Sequence, residues 1–217
     1  RAMDAPSACF GNSGVLYRVA KSAYDRTKSA RSDTEPGQND ALVALLFSAA
    51  TLEAFIVDFA LQAKQVVRGN HSFSGSPTLE AMARLLDSRS SVKLKYLLTK
   101  EVLSRQMYDE DGHPFRDFDL LFRIRNEVVH LKPEKIKDRS HKIARELIQR
   151  GLCERPERHL KRSWLDRIQT RAVARWACNV VRDMVASIRK CLPEDADKRP
   201  NPLMPLAFAC RGFDGVD

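Results

Sequence analysis

Two side chains that could do chemistry on a phosphate lie five positions apart in the segment RNEVVH. Arg125 carries a planar guanidinium that binds phosphate oxygens through paired hydrogen bonds, and His130 carries an imidazole that exchanges protons near neutral pH. Together they could hold a phosphodiester and move protons on it without a metal ion. Asn126 could donate a hydrogen bond to a phosphate oxygen or to a histidine. These three residues form the candidate site.

A helix must position this site. From residue 118 onward, apolar residues recur at three- and four-residue spacing until Pro133, which predicts a helix over residues 115–131. One apolar stripe along it contains Phe118, Leu121, Phe122, Val128 and Val129. Arg125 falls inside this stripe, where an unpaired charge is costly, so it needs an anionic partner or an open cleft.

A second apolar stripe contains Leu120, Ile124 and Leu131 and predicts that the helix is covered on another side. Because this stripe is too apolar to face water, we expect a two-fold homodimer whose interface includes it. On an ideal helix, Arg125 and His130 point about 140° apart. Either the long Arg125 side chain reaches round the helix, or two copies of the helix meet across the dimer axis.

Residues 41–67 form the longest and most apolar segment, which predicts a buried central helix. Glu53 lies within its apolar stripe, where an unpartnered carboxylate would be expensive. Two interpretations stay open. Glu53 could form a salt bridge to Arg125 or another base that only fixes packing, or it could orient Arg125 or His130 for chemistry.

Positive charge is concentrated after the motif. The chain has 217 residues and a net charge of +9. Residues 132–171 contain thirteen Lys or Arg against six Asp or Glu, a net charge of +7. Such a segment favours a nucleic-acid backbone as partner, although a solvated helical face would have the same composition. We expect four of its side chains to contact RNA: Lys132, Arg158, Lys161 and Arg162.

The fold class predicted from the whole chain is all-α, because no sustained alternation or hairpin signal indicates a strand. We expect a loose tail over residues 1–12, one helical domain over 13–192 and a proline-rich extended tail over 193–217. No segment has the pattern of a signal peptide, and the five cysteines are expected to be reduced thiols in a cytoplasmic protein. No metal site and no cofactor are predicted, since the acidic residues near Asp109 do not match a calcium loop.

The motif and its flanks resemble the HEPN superfamily of all-α proteins. Arg125, Asn126 and His130 fall on the defining positions of its R-x(4–6)-H motif. The segments AATLEAFI at 49–56 and TRAVARWACNVV at 170–181 resemble its long early helix and its late helix, so the resemblance spans about residues 40–192. It implies a helical bundle and metal-independent ribonuclease activity at a dimer interface. Many such proteins act in toxin–antitoxin or antiviral systems, and some members do not cut RNA.

The leading hypothesis is an endoribonuclease that cleaves RNA by attack of its own 2′-OH, with Arg125 and His130 as catalytic residues and Asn126 and Glu53 in support. Its partners would be RNA, a second copy of the chain, and an antitoxin or second protein subunit. One alternative is a non-catalytic HEPN-like module that binds a nucleotide, a nucleic acid or a protein. Another is a structural role, in which Arg125 and His130 only satisfy Glu53 and a helix end.

Overall fold

The structure, a computed structural model of the chain, describes residues 11–69, 80, 90–130, 136–155, 163–196, 201 and 203–217. This part of the chain consists of helices joined by turns and loops, and it contains no strand. The predicted all-α class is therefore confirmed. The first α-helix is followed by a 3₁₀ turn at Thr27–Ser29. In chain order the α-helices described are α1 (Asn12–Arg26), α2 (Asn39–Gly69), α3 (Val92–Ser104), α4 (Phe115–Val129), α5 (Ile136–Gln149), α6 (Trp164–Ile168), α7 (Arg171–Arg189) and α8 (Met204–Ala209).

Helix α2 is the centre of the bundle, as the sequence predicts. It packs against α1, α3, α4, α7 and α8, and its side chains Leu52, Phe55, Ile56 and Phe59 are fully buried. Among the described helices, α2 alone is long and apolar enough to cross a membrane by length and composition. Half of its most apolar window, 50%, is buried inside the bundle. The apolar side chains of α2 thus form much of the core of the bundle.

Helix α4 carries the motif and is covered on two sides by its own chain. Leu120 and Ile124, from the second apolar stripe, are both 0% exposed, and α4 packs against α2 and α7. The predicted use of this stripe as a dimer interface is therefore wrong for these two residues, because the core already occupies their surface. Leu131, the third residue of that stripe, lies outside the described part of the chain.

The first helix begins earlier than expected. Gly11 is the N-cap of α1, so the predicted tail boundary at residue 12 falls inside the helix, and residues 1–10 lie outside the described part. Ser13, in the first turn of α1, donates its hydroxyl hydrogen to Asp58 of α2 over 2.6 Å. Its backbone N–H donates to the same carboxylate over 3.0 Å. This polar link joins the start of α1 to α2.

The largest correction to the predicted domain boundaries concerns residues 193–217, which the sequence predicts to be an extended tail. Within it, Met204–Ala209 forms α8, and Phe213 is 7% exposed. Its ring lies 5.4 Å from that of Tyr17 and 5.6 Å from that of Phe55, measured between centroids. Val216 exchanges two hydrogen bonds with the side chain of Asn179 on α7. Apolar side chains in this segment gain more from docking on the bundle than from exposure to water, so the segment belongs to the domain.

Three of the helices, α3, α6 and α7, begin at side-chain caps. Ser91 caps α3 and Thr170 caps α7, each accepting a hydrogen bond from the backbone N–H three residues later. Ser163 and Asp166 form a capping box that starts α6, a short helix ahead of α7. The Ser-Pro pair at positions 76 and 77 of the sequence predicts a further helix over residues 77–86, which lie outside the described residues except for residue 80.

Replacing Phe213 by alanine should lower the free energy of unfolding by about 3 kcal/mol, because the change removes a buried ring between α1 and α2. Urea unfolding followed by circular dichroism measures this loss. Phe208, on α8, is the matched control, since 44% of it is exposed. Phe208→Ala should change the free energy of unfolding by less than about 1 kcal/mol. Equal effects of the two changes would show that the C-terminal segment is not docked in solution.

Candidate active site

Arg125 lies in a cleft of about 370 Å³ between α2, the start of α3 and α4. Two phenylalanines of α4, Phe118 and Phe122, line its apolar part, with ring centroids 4.7 Å apart. Six charged or amide side chains line the rest: Glu53, Lys93, Asp119, Arg123, Arg125 and Asn126. The cleft therefore combines aromatic surface with both signs of charge.

Glu53 and Arg125, predicted from separate helices, are brought together. The Arg125 guanidinium donates to the Glu53 carboxylate over 3.2 Å and to the Asn126 side-chain oxygen over 2.9 Å. The side chains of Arg125 and Glu53 are 29% and 34% exposed. Arg125 thus has the anionic partner that its place in an apolar stripe requires, and it still faces the cleft.

This arrangement fixes the plane of the guanidinium. A guanidinium has five N–H donors, and the contacts with Glu53 and Asn126 leave donors for a ligand. Asn126 is exposed and accepts a hydrogen bond from Arg125 through its side-chain oxygen, so its amide group can offer its N–H donors to an anion. Arg125 and Asn126 could therefore hold an anion together, with Glu53 as the group that orients Arg125.

His130 is placed differently. It is the C-cap of α4, its backbone N–H donates to the carbonyl oxygen of Asn126 over 3.0 Å, and its side chain is exposed. His130 is not one of the described residues that line the cleft. Arg125 does not reach round the helix, since its guanidinium is held by Glu53. Among the described residues, the two candidate catalytic side chains thus do not line the same cavity.

Two further cations of the cleft did not stand out in the sequence. Lys93 binds Glu110 over 2.8 Å and Asp119 over 3.3 Å, and the hydrogen bond to Glu110 raises the pKa of Lys93. Arg123 bonds Glu146 of α5 over 3.3 Å. The signal for Arg123 was its spacing, because Asp119, Arg123 and Asn126 recur every three or four positions on one side of α4.

The remaining residues considered for RNA binding or for chemistry lie outside the described part of the chain or are buried. The expected RNA contacts Lys132, Arg158, Lys161 and Arg162 all lie outside the described residues. Within the described part, no group of three His, Cys, Asp or Glu is arranged to hold a metal ion. Cys178 is a core residue, and its burial raises the pKa of its thiol to about 11. A thiol of that kind is mostly protonated at neutral pH, so it is a poor nucleophile.

No family model, no curated protein and no solved structure matches this chain. The support for a function therefore comes from the residues of the cleft and of the helix that carries it.

The Glu53–Arg125 pair should contribute only about 1 kcal/mol to stability, because both side chains are about one-third exposed and water screens the interaction. A double-mutant cycle with Glu53→Gln, Arg125→Gln and the double variant, each unfolded in urea, measures the coupling energy. A value near zero would show that Glu53 does not hold Arg125 in solution. A value above about 3 kcal/mol would show that the pair supports the fold as a buried bridge does.

Proposed function

We propose that this protein is a metal-independent endoribonuclease of HEPN type. The observation that carries the proposal is the orientation of Arg125. Glu53 and Asn126 hold its guanidinium in an open cleft, and the helix that carries it ends at the exposed His130. An arginine held in this way is prepared to bind a phosphate before substrate arrives. An exposed imidazole five positions later supplies the proton chemistry that RNA cleavage needs.

The reaction follows from these groups. The 2′-OH of the substrate attacks the adjacent phosphorus, the bond from phosphorus to the 5′-oxygen of the next nucleotide breaks, and the products are a 2′,3′-cyclic phosphate and a 5′-hydroxyl. His130 acts on the protons, taking one from the 2′-OH or giving one to the leaving oxygen. Arg125 stabilises the charge that develops on the phosphate oxygens, and Asn126 donates a further hydrogen bond. Phe122, half-buried in the cleft, offers a ring on which a base can stack.

The active site we propose is shared between two copies of the chain. Because His130 is not among the described residues that line the cleft of its own chain, the His130 that acts beside Arg125 would come from a second protomer. The surface for this contact is the exposed end of α4, where Val129 is 53% exposed beside His130. A two-fold axis near this end would place each His130 at the other copy's cleft and would cover Val129. This interface replaces the one predicted at Leu120 and Ile124.

The setting that goes with this activity is a cytoplasmic toxin–antitoxin or antiviral system. A nuclease that needs no cofactor to cut RNA must be restrained in its own cell, so an antitoxin or second subunit is the expected partner. Co-purification of an inhibitor from the native host would support this part of the proposal.

A second candidate function is a binding module that does not cut. It is favoured by the pairing of the cleft's cations, since Lys93, Arg123 and Arg125 each already bind a carboxylate. Such a cleft could hold a nucleotide, with the base on Phe122 and the phosphates on Arg125. Purified protein that retains nucleotide or nucleic acid, seen in its 260/280 nm absorbance ratio, but never cleaves RNA would favour this candidate.

Replacing His130 by alanine should reduce RNA cleavage by about 10²–10⁴-fold, because it removes the general acid–base group. The measurement is cleavage of mixed cellular RNA in EDTA by the two proteins, with end-group analysis for cyclic phosphate. The thermal midpoint should not fall, since the His130 side chain is exposed. Equal cleavage by both proteins would exclude His130 from the reaction. Replacing Arg125 by lysine should also reduce cleavage, because a lysine lacks the planar, forked set of donors that a guanidinium presents to a phosphate.

Replacing Val129 by glutamate should convert a dimer into a monomer and reduce cleavage, because it puts a charge into the proposed contact. Val57→Glu is the matched control, since Val57 on α2 is 45% exposed on another helix. Sedimentation equilibrium measures the oligomeric state of both variants. A native protein that is monomeric at micromolar concentration, yet cleaves RNA, would contradict the shared site.

A further inference from the structure

A second cavity lies beside the cleft, between the first half of α4 and the face of α5. Its volume is about 420 Å³. Every side chain that lines it is charged or polar: Arg116, Lys142, Arg145, Glu146, Gln149 and Arg150. None of these residues belongs to the candidate active site. Lys142, Arg145 and Arg150 lie in the basic segment 132–171, although they are not among its four side chains singled out from the sequence.

Arg150 forms a fixed part of the cavity wall. Its side chain is 18% exposed, and its guanidinium bonds Glu146 over 2.9 Å and also bonds Asp117 of α4. Burial alone would raise the pKa of Asp117, but hydrogen bonds from His113 and Arg150 outweigh it and lower that pKa. Asp117 therefore stays ionised and keeps Arg150 in place through the physiological pH range.

The other cations of the cavity are open to a ligand. Arg116, Lys142 and Arg145 are exposed, and within the described residues no carboxylate pairs with any of them. Four cations thus face Glu146 and the neighbouring Asp117, which leaves an excess of two positive charges. That excess suits phosphate, and Gln149 adds an amide donor.

The basic and amide side chains of the two cavities follow one another along one side of α4 and of α5. Lys142, Arg145 and Gln149 recur at three- and four-residue spacing on one side of α5, over a rise of about 10 Å. Arg116 and Arg123 are seven positions apart on one side of α4, again about 10 Å. Arg123 lines the cleft and bonds Glu146, which lines the second cavity. The two cavities are therefore neighbours, with the Arg123–Glu146 pair between them.

We propose that this second cavity binds backbone phosphates of a single-stranded RNA whose neighbouring nucleotide occupies the cleft. The choice of RNA rests on the proposed function, whereas the preference for phosphate rests on the charges alone. A protein partner is less suited to the cavity, because the core of a stable protein contact is mostly apolar and every side chain of this lining is charged or polar. The site would hold the strand in register and contribute affinity without taking part in bond cleavage.

The test is RNA binding by charge-reversal variants, all in the His130→Ala background so that the RNA stays intact. Lys142→Glu with Arg145→Glu is the pocket variant. Arg18→Glu with Lys190→Glu is the control, since it makes the same change in net charge at exposed positions on α1 and after α7. Fluorescence anisotropy with a labelled single-stranded RNA, titrated at several salt concentrations, gives the affinity and its salt dependence.

The pocket variant should bind RNA roughly tenfold more weakly than the control, and its plot of log K against log salt should be shallower by about 0.7 for each phosphate that it no longer neutralises. Arg116→Gln, on the other helix, should weaken binding in the same direction and serves as an independent variant if the double reversal does not fold. Pocket and control variants that bind alike would overturn the proposal, as would native protein with no affinity for RNA. Binding that responds as expected, by a protein that never cleaves RNA, would remove the proposed nuclease function and leave the phosphate site standing.

Discussion

Helix α4 is enclosed on two sides by its own chain, and this confines the polar groups that it presents to one strip. Leu120 and Ile124 are fully buried, as are Phe115 and Phe118, whose rings lie 5.3 Å apart. What remains open is a row of polar residues at three- and four-residue spacing, Arg116, Asp119, Arg123 and Asn126. Both cavities lie along this row. The apolar packing of α4 therefore decides where a ligand can approach the helix.

Ion pairs then attach this strip, and the two polar residues beside it, Asp117 and Arg125, to the neighbouring helices. Arg125 bonds Glu53 of α2, Arg123 bonds Glu146 of α5, and Asp117 bonds Arg150 after the end of α5. The first two pairs are partly exposed and contribute about 1 kcal/mol or less each, whereas loss of one buried aromatic ring costs about 3 kcal/mol. The aromatic core therefore maintains the fold, and the ion pairs set the orientation of the arginines. For a binding site that division is useful, because an arginine held in place loses little freedom when it binds an anion.

The sequence predicted the helices well and the relation between them less well. Periodicity located α2 and α4 to within a few residues, and the cost of burying a lone carboxylate correctly suggested that Glu53 meets a base such as Arg125. The interface predicted from the second stripe of α4 was wrong, because an apolar stripe shows that a surface is covered but not whether the same chain or another covers it. The extended tail predicted for the C-terminal segment was wrong because its prolines obscured the short helix at Met204–Ala209. The cavity around Arg116 and Arg145 could not be predicted, since it depends on how α4 and α5 pack.

The central claim is that Arg125 of one protomer acts with His130 of the other, and mixing two inactive variants tests it most directly. Arg125→Ala and His130→Ala proteins should each be inactive alone. When they are unfolded together and refolded in equal amounts, about half of the dimers should be mixed, and each mixed dimer should contain one intact site of two. We predict recovery of about a quarter of the native cleavage rate in the mixture, because heterodimers that combine statistically restore that share of sites. No recovery, in a mixture shown to contain heterodimers, would contradict the shared site.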